Sequence, residues 1–425
     1  MKKYTIISLG CPKNLVDSEI FAANAEAAGL QYTEDISQAN FIIINTCGFI
    51  EDAKQESINT ILAASQYKNS AEHPKLIVTG CLVKRYLPDL QKALPEVDHF
   101  VQLKDFSYFS QLLNSKNTNK RKLLTSNHYA YLRISDGCNN FCSYCAIPYI
   151  RGRLQSKPIP ELVEEAKILA KQGVKELIIT AQDTTLYGTD LYGEPKLVAL
   201  LEKLEKIDGI EWIRLFYLHP AHITSAIIDK IASSPKILNY FEIPLQHIND
   251  EILLSMNRKV TRNRIEEIIT EIRTKIPEAV IRTTFIVGYP GEDEAKYNEL
   301  KEFILTNEFE RIGVFTYSPE EGTPAYSKKT QIDSEIAETR KDEIMSLQQP
   351  ISERILSHFV GKKMKVLIDG PATESNFILE GRSYLDGPEI DGKVLLTEGK
   401  AEAGEIVDVE IIDNWEYDLI GKIVK

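Results

Sequence analysis

The stretch Cys138-Asn-Asn-Phe-Cys142-Ser-Tyr-Cys145 decides how the rest of the chain is interpreted. Its Cys-x3-Cys-x2-Cys spacing places three thiols, here called the loop trio, close enough to surround one inorganic centre. A zinc knuckle would need a second pair of Cys or His residues nearby, and the next histidine along the chain is His219. Three thiolates on a four-iron cluster leave one iron open, so the motif indicates a site for chemistry. A structural metal site of unusual spacing and three buried core cysteines are the alternatives.

Strand-like and helical stretches alternate around this motif across residues 126–345. An apolar run at 131–134 precedes the cysteines, and Gly137 opens the loop that holds them. Six strands are predicted, at 131–134, 176–181, 212–217, 240–243, 280–287 and 312–317. Six βα units predict a partial barrel rather than a closed ring of eight, with its active site at the carboxyl ends of the strands. The residues expected at that edge are Gln182, Asp183, His219, Gln246, His247, 288–292 and 318–321.

The other three cysteines lie far apart within residues 1–105, each directly after a predicted strand. The strands, at 4–9, 41–45 and 76–79, alternate with helices, which predicts a parallel sheet with right-handed crossovers. Such a sheet brings the carboxyl ends of its strands to one edge, where Cys11, Cys47 and Cys81 would meet, each beside a glycine. A single buried cysteine is usually a small core residue. Three in equivalent turns, here called the sheet trio, predict a second three-thiolate cluster site.

The remaining segments complete the predicted architecture. Residues 106–125 are polar and basic and are interpreted as a linker, and residues 346–360 as a connecting helix that Pro350 kinks or divides. Five short strands separated by turns occupy 361–425 and predict a small antiparallel barrel of OB type. The predicted fold class is therefore α/β, with an N-terminal parallel α/β sheet domain, a central partial (β/α)6 barrel and a C-terminal antiparallel β-barrel.

Composition limits the classes of function. The chain has 425 residues, of which 43% are hydrophobic, and its net charge of −12 argues against a main task of gripping nucleic acid. It has no run of about 18 apolar residues and no signal-peptide pattern at the N-terminus. A cytoplasmic protein with no membrane partner is therefore expected. Six cysteines in a reducing compartment favour metal binding over disulfides.

The last domain carries an excess of acidic residues. Between 361 and 425 there are eight basic and fourteen acidic residues, which gives a net charge of −6. Because each contact to a phosphate normally requires a cation, this balance disfavours RNA and suits a basic protein partner. The alternative is a solvated surface that has no partner.

The Cys-x3-Cys-x2-Cys motif is similar to the signature of the radical S-adenosylmethionine (SAM) superfamily. With the sheet trio before it and an OB-like tail similar to a TRAM domain after it, the whole chain resembles the methylthiotransferase family. The resemblance implies SAM and two [4Fe-4S] clusters, one held by each trio. It also implies that SAM binds the open iron, that an electron from this cluster cleaves SAM to a 5'-deoxyadenosyl radical, and that the auxiliary cluster supplies or carries the sulfur.

Three residues besides the cysteines are expected to contact the cofactor: Gln182, Gly288 and Arg258. Gly288 lies in the stretch 284–292, which resembles the superfamily's strand-five signature, where the backbone runs along the adenine. Arg258 and Arg282 could hold the SAM carboxylate or a substrate acid through bidentate contacts, and either could instead be structural. Gln182 is expected there from its position after the second barrel strand. No catalytic side chain is assigned.

Within the family, the stretches 8–19 and 381–392 resemble the branch that modifies a small-subunit ribosomal protein. The first reads Ser-Leu-Gly-Cys-Pro-Lys-Asn, where the branch that modifies tRNA adenosine more usually has Gly-Cys-Gln-Met-Asn. The second has Gly387 where alanine is typical. The resemblance implies methylthiolation of the β-carbon of an aspartate in a basic small-subunit ribosomal protein. It also implies an external electron donor such as a flavodoxin or ferredoxin, and it makes tRNA an unexpected substrate.

Three other functions stay open. They are a tRNA adenosine methylthiotransferase, a cobalamin-dependent radical methylase, and a non-catalytic iron–sulfur carrier. The chain lacks the Asp-x-His-x-x-Gly turn that is typical of cobalamin binding, and that function would leave the sheet trio unexplained. A carrier would not need six βα units.

Overall fold

The computed structural model describes residues 1–69 and 72–424. The first of its sheets is formed by the N-terminal part of the chain. The elements of this part are β1 (Lys3–Ser8), α1 (Pro12–Ala27), β2 (Gln31–Tyr32), β3 (Phe41–Thr46), α2 (Glu51–Ser65), β4 (Lys75–Gly80), α3 (Cys81–Ala93) and β5 (His99–Phe100). The strands pair only in parallel, in the order β2-β1-β3-β4-β5. This confirms the parallel α/β sheet. The two-residue edge strands β2 and β5 were not predicted.

Helices cover both faces of this sheet. In β3, Ile42 and Ile44 join the core formed with α2 and α3, whereas Ile43 joins the core formed with α1. Burial on both faces explains why these strands are continuous apolar runs in the sequence. The predicted linker contains a further helix, α4 (Phe106–Leu112), whose Phe109 ring lies 5.0 Å from that of Phe21 in α1. That segment is therefore partly folded against the first sheet.

The second sheet has six strands in one parallel arrangement. The elements of the central part are β6 (Tyr129–Arg133), β7 (Ser135–Asp136), α5 (Ile147–Arg151), β8 (Gln155–Ser156), α6 (Ile159–Lys171), β9 (Glu176–Thr180), α7 (Thr189–Tyr192), α8 (Leu197–Leu204), β10 (Trp212–Leu215), α9 (Ser225–Ser233), β11 (Ile237–Gln246), α10 (Asp250–Ser255), α11 (Arg262–Lys275), β12 (Val280–Val287), α12 (Glu294–Asn307), β13 (Arg311–Thr316) and α13 (Ser334–Ser357). The strand order β6-β9-β10-β11-β12-β13 confirms the predicted partial barrel. Pro350 lies inside α13 and does not divide it.

Alternate side chains of these strands enter different cores. Leu177 and Ile179 of β9 pack against the outer helices, while Ile178 between them points to the concave side. The concave core also contains Phe216 and Tyr240, together with apolar residues of the last domain. The partial barrel is therefore filled from one end by the C-terminal part of the chain. Among the described residues, no helix has the length and hydropathy needed to cross a membrane.

The third sheet is a closed barrel of five strands. They are β14 (Lys363–Pro371), β15 (Leu379–Arg382), β16 (Val394–Glu398), β17 (Ile406–Asn414) and β18 (Leu419–Ile423). Four pairings are antiparallel, and the fifth, between β16 and β18, is parallel. The predicted small OB-like antiparallel barrel is confirmed, with one parallel pairing that the sequence did not indicate. A closed ring with an odd number of strands cannot alternate direction throughout, so one pairing must be parallel.

A loop of this barrel, residues 383–391, enters the concave side of the central sheet. Arg214 of β10 donates to the carbonyl oxygens of Tyr384 at 2.9 Å and Ser383 at 3.1 Å. Arg311 of β13 pairs with Asp386 at 2.6 Å. These buried polar contacts attach the last domain to the barrel strands.

Part of the acidic excess of the last domain is used in this attachment. Besides Asp386, Asp391 accepts from Arg282 at 3.1 Å and from Tyr240 at 2.6 Å. Among the described residues of the domain, seven acidic and four basic residues are exposed. Lys425, which was counted with the basic residues, lies outside the described residues. The outward-facing charge is therefore less negative than the total suggests.

Candidate metal and cofactor site

The sheet trio lies along one edge of the first sheet. Cys47 and Cys81 directly follow β3 and β4, and Cys11 lies three residues after the end of β1. These three strands are neighbours in the sheet. Ser8 pairs with Asn45, and Thr46 pairs with Gly80, so the carboxyl ends of these strands are level. The topology thus gathers three residues that are distant in sequence.

The turns that carry the sheet trio touch one another at two glycines. A Cβ on Gly10, where φ is +84°, would lie 2.9 Å from the sulfur of Cys47. A Cβ on Gly48 would lie 2.7 Å from the Cα of Leu82, the residue after the third cysteine. Such distances are too short for close-packed carbon atoms. Glycine at both positions therefore allows the three turns to approach each other.

The loop trio lies between β7 and α5, in a loop held by the segment that follows α10. The backbone N–H of Ser143 donates to the carbonyl of Met256 at 2.9 Å. The guanidinium of Arg258 donates to the sulfur of Cys142 at 3.5 Å. The spacing of these cysteines comes from local sequence, but their loop is positioned by residues more than one hundred positions later.

The two trios meet where α3 contacts α5. Cys81 packs with Ala146 and Ile150 in one small apolar cluster. Ala146 directly follows Cys145, the last cysteine of the loop trio. The structure therefore places one cysteine of the sheet trio in the apolar cluster that begins directly after the last cysteine of the loop trio.

Buried charges beside this contact hold the first sheet against the barrel. Arg151 of α5 donates to Asn14 at 2.7 Å, to Asp17 at 3.0 Å and to Asp136 at 3.2 Å. Arg133 of β6 also donates to Asp17, at 2.5 Å. Asn14 and Asp17 belong to α1, so this network joins the two parts of the chain that carry the trios. The sequence analysis gave none of these residues a role, although Asn14 and Asp17 lie in the stretch 8–19.

Burial controls the charge of the thiols. It raises the pKa of Cys47 to about 11, that of Cys81 to about 12 and that of Cys138 to about 11. Such thiols lose their protons when a metal takes the proton's place, because the cation compensates the buried negative charge. None of the six cysteines forms a disulfide. Two groups of free thiols, none of them exposed, therefore fit two iron–sulfur clusters.

Cys11 differs from the other thiols because two cations lie near it. Burial alone would raise its pKa, but the charges of Lys13 and Arg151 outweigh this effect and lower it. Burial would lower the pKa of Lys13, because it disfavours the charged ammonium. The electrostatic influence of Tyr217 and Cys11 outweighs burial and raises this pKa above its usual value. A positive environment at this corner suits an anionic thiolate cluster.

Unpaired polar atoms surround the carboxyl ends of the barrel strands. Within the described residues, these buried atoms have no hydrogen-bond partner: Gln182 Oε1, His219 Nε2, Gln246 Oε1, Arg258 Nε and Tyr317 Oη. His247 Nε2 and Glu292 Oε2 also lack a hydrogen bond, but they lie 3.4 Å from each other. All of these residues lie at or after β9, β10, β11, β12 and β13. Buried polar groups nearly always have a partner, so this edge fits a ligand with many polar groups, such as SAM. All but Tyr317 were named from the sequence.

The three residues predicted to contact the cofactor lie at this edge in different settings. Gln182 donates through Nε2 to Asp136 at 3.2 Å and leaves its Oε1 unpaired. Arg258 is buried against the loop trio, and its Nε is unpaired. Gly288 has φ +72°, and a Cβ there would collide with that of Ala337 in α13. Close packing on α13 thus already requires glycine at this position, and the adenine contact stays a prediction.

A carboxylate at the same edge ties β9 to the cysteine loop. Asp183 accepts from the amide of Asn140 at 2.7 Å and from Nδ1 of His222 at 2.9 Å. Burial would raise the pKa of Asp183, but the hydrogen bond from His222 and the nearby His219 outweigh it and hold the pKa at about 2. The sequence analysis missed His222, which lies in the short 3-10 turn Pro220–His222, where no periodic pattern marks it.

Three family models match consecutive parts of the chain. They are the Uncharacterized protein family UPF0004 over residues 3–102, the Radical SAM superfamily over 132–304 and the TRAM domain over 360–424. The sheet trio falls in the first match and the loop trio in the second.

Curated relatives match the chain along its whole length. A protein from Bdellovibrio bacteriovorus named ribosomal protein uS12 methylthiotransferase RimO is 46% identical over 446 residues, which cover 100% of this chain and 98% of the relative. A protein of the same name from Aquifex aeolicus is 47% identical over 423 residues, which cover 99% and 97% of the two chains.

Solved structures share the fold at low sequence identity. The radical SAM methyltransferase TsrM from Kitasatospora setae, with tryptophan and a SAM analogue bound, gives a TM-score of 0.58 at 11% identity. The match covers 83% of this chain and 89% of that chain. The cobalamin-dependent SAM radical enzyme OxsB gives a TM-score of 0.51 at 9% identity, with 83% and 56% covered. These matches concern the fold alone.

Proposed function

We propose that this chain, which belongs to the RimO family of methylthiotransferases, acts on ribosomal protein uS12. The protein is a radical SAM enzyme that transfers a methylthio group. We propose that the group is placed on the β-carbon of an aspartate. The observation that carries this proposal is the apolar cluster of Cys81, Ala146 and Ile150, which links the segments of the two trios, because sulfur transfer requires the sulfur source to lie beside the radical centre.

The radical SAM family implies a [4Fe-4S] cluster and SAM, and the N-terminal domain is consistent with a second cluster. We propose that the loop trio holds the SAM-binding [4Fe-4S] cluster and that the sheet trio holds an auxiliary [4Fe-4S] cluster. Two separate sets of free thiols, three of them buried and three partly buried, support this assignment. We propose Gln182, Gly288 and Arg258 as SAM contacts, and the unpaired polar atoms of Gln182 and Arg258 support the first and the third.

When bound, these groups supply an electron, a carbon radical that takes hydrogen from the substrate, and the sulfur that replaces it. The chain itself orients and encloses the reactants. The network of Arg151 with Asp17 and Asp136 keeps the two trios in one arrangement. At the opposite end of the barrel, Gly387 packs against Phe216 and Tyr240, so the loop 383–391 closes the concave side to water.

The experiment that tests the function uses the full chain, reconstituted anaerobically with iron and sulfide. The chain is incubated with SAM, a reductant and purified uS12, and uS12 is examined by mass spectrometry for a methylthio group in place of one hydrogen. We expect the modification at a single aspartate, together with 5'-deoxyadenosine. Modification of tRNA adenosine instead of uS12 would favour the tRNA branch, and no 5'-deoxyadenosine would contradict the radical reaction.

Further partners follow from the same proposal. The reaction needs a one-electron donor, and we propose a small external carrier such as a flavodoxin or ferredoxin.

We propose that the enzyme works in the cytoplasm, because its substrate is a ribosomal protein and its free cysteines suit a reducing compartment. The acidic surface of the last domain supports binding of a basic protein and disfavours tRNA.

Reversing exposed acidic charges of the last domain should weaken uS12 binding roughly tenfold at low salt and less at high salt, since exposed pairs are weak and screened. The variant carries Glu398→Lys, Glu402→Lys and Asp413→Lys. The matched control reverses three exposed acids of the first domain, with Glu34→Lys, Asp89→Lys and Glu96→Lys. Binding is measured by fluorescence anisotropy across a salt series. Equal losses in both variants, or a loss independent of salt, would remove the acidic surface from recognition.

A further inference from the structure

Lys13 places a buried positive charge between the sheet trio and the mouth of the barrel. It follows Cys11 by two residues in α1 and is only 6% exposed. Its ammonium donates one hydrogen bond to the carbonyl of Ala181 at 3.4 Å and lies 3.6 Å from the centroid of the Tyr217 ring. Ala181 follows β9 and Tyr217 follows β10. The charge therefore sits at the carboxyl edge of the strands, where the reactants bind in barrels of this kind.

Three other cations near this interface, Arg133, Arg151 and Arg282, have carboxylate partners, whereas Arg258, buried against the loop trio, has none among the described residues. Arg133 and Arg151 both bind Asp17. Arg282 binds Glu242 at 3.3 Å. That carboxylate also accepts from the backbone N–H of Tyr217, so it is already occupied.

Lys13 has no carboxylate within ion-pair distance among the residues that the structure describes. A buried ammonium loses most of its hydration, and one long hydrogen bond with a cation–π contact recovers only part of that loss. An ammonium has three N–H donors, and the observed contacts use two at most. At least one donor is therefore available for an anion that enters the site from outside the chain.

We propose that Lys13 binds the side-chain carboxylate of the substrate aspartate and thereby selects aspartate over neutral side chains. This inference rests on the proposed function, because an aspartate substrate is what brings a carboxylate to this edge. The position of Lys13 next to Cys11 would hold the neighbouring β-carbon close to the sheet trio, where the sulfur is supplied. Lys13 is thus a specificity-determining residue.

The test compares two peptides of uS12, one with the target aspartate and one with asparagine in its place. Binding of each is measured by fluorescence anisotropy to the cluster-loaded full chain without reductant, so that no turnover occurs. The wild-type chain should bind the aspartate peptide roughly tenfold to hundredfold more tightly, as expected for a hydrogen bond between charged groups. In Lys13→Met this preference should disappear, and in Lys13→Arg most of it should remain.

Three controls separate this role from others. Lys157→Met removes another lysine of the barrel, one that is paired with Glu165 at 2.7 Å, and should keep the preference. Iron content and SAM affinity of Lys13→Met should match the wild type. A loss of iron or SAM with an unchanged aspartate preference would mean that Lys13 serves the cluster or the cofactor, and would overturn the inference.

The wild-type chain by itself also tests the inference, even if the variants do not fold. Equal binding of the two peptides by the wild type would overturn the role of Lys13. If the wild type methylthiolates uS12 and Lys13→Met still prefers the aspartate peptide, the role of Lys13 is overturned and the proposed function stands. No methylthiolation of uS12 by the wild type would overturn the proposed function, and the inference with it.

Discussion

The loop trio and the sheet trio, the two proposed ligand sets, are assembled by opposite routes. The loop trio is contiguous in sequence, and its spacing alone indicates a metal site. The sheet trio comes from three strand ends, and it exists only because β1, β3 and β4 are neighbours in the sheet. A contiguous site depends mostly on its own cysteines, whereas a gathered site depends on every contact that keeps its strands in register. Changes to the scaffold should therefore affect the sheet trio more than the loop trio.

Removal of the loop trio should give the largest effect. In the variant Cys138→Ala, Cys142→Ala and Cys145→Ala we expect no SAM cleavage and no product. Iron should fall from about eight to about four per chain, because the sheet trio keeps its own cluster. Iron analysis and visible absorbance measure this after anaerobic reconstitution. Loss of all the iron would show that the two sites do not assemble independently.

Cys47→Ala should affect the two sites differently. We expect methylthiolation of uS12 to be abolished while 5'-deoxyadenosine is still formed, because the loop trio is intact. Chromatography of the nucleoside and mass spectrometry of uS12 give the two readouts from one reaction. If product formation were unchanged, Cys47 would have no part in the reaction.

Arg151→Met should loosen the connection between the sites without removing a cysteine. The change leaves two buried carboxylates, Asp17 and Asp136, with fewer partners, and we expect a loss of about 3 kcal/mol in the free energy of unfolding. Product formation should fall further than SAM cleavage. Chemical denaturation measures the first effect. Arg153→Met, at an exposed position in the same segment, is the control, and an equal loss there would argue against the network.

Gly48→Ala should give the smallest effect and act on the sheet trio alone. The added Cβ would approach the Cα of Leu82 to 2.7 Å, and such overpacking typically costs about 1–3 kcal/mol. We expect less iron at the sheet trio and normal SAM cleavage. In the control Gly313→Ala, the nearest atoms would lie 3.8 Å away. If SAM cleavage in Gly48→Ala fell as much as the iron at the sheet trio, the two trios would depend on the same contacts, and the difference between them described above would be wrong.

Much of the fold was predictable because its strands are buried on both faces. Continuous apolar runs such as β3 and β9 are visible in sequence, and their alternation with helices leads directly to parallel sheets. Short edge strands such as β2 carry no such signal. Helix α4 was missed because one buried face, centred on Phe109, lies within a polar segment. The parallel pairing of β16 with β18 is a consequence of closure and has no local signature.

The candidate site shows the same division. The sheet trio and most of the unpaired polar residues could be named from their positions after strands, and the loop trio from its spacing. Lys13 and Arg151 could not, because their importance depends on which charges lie beside them. Asp17 and Arg151 are 134 positions apart and meet only across the contact between α1 and α5. The last domain's Asp386 and Asp391 were counted as surface charge, yet they bind arginines of the barrel.

Residue order was sufficient for the fold class and the family, and for naming the six cysteines as candidate ligands, because strand periodicity and cysteine spacing are local properties that are visible without coordinates. Which side chains share a partner could be read only from the folded chain. Burial, ion pairing and the approach of the two trios arise between residues far apart in sequence, and Coulomb and packing energies depend on distances that no linear pattern records.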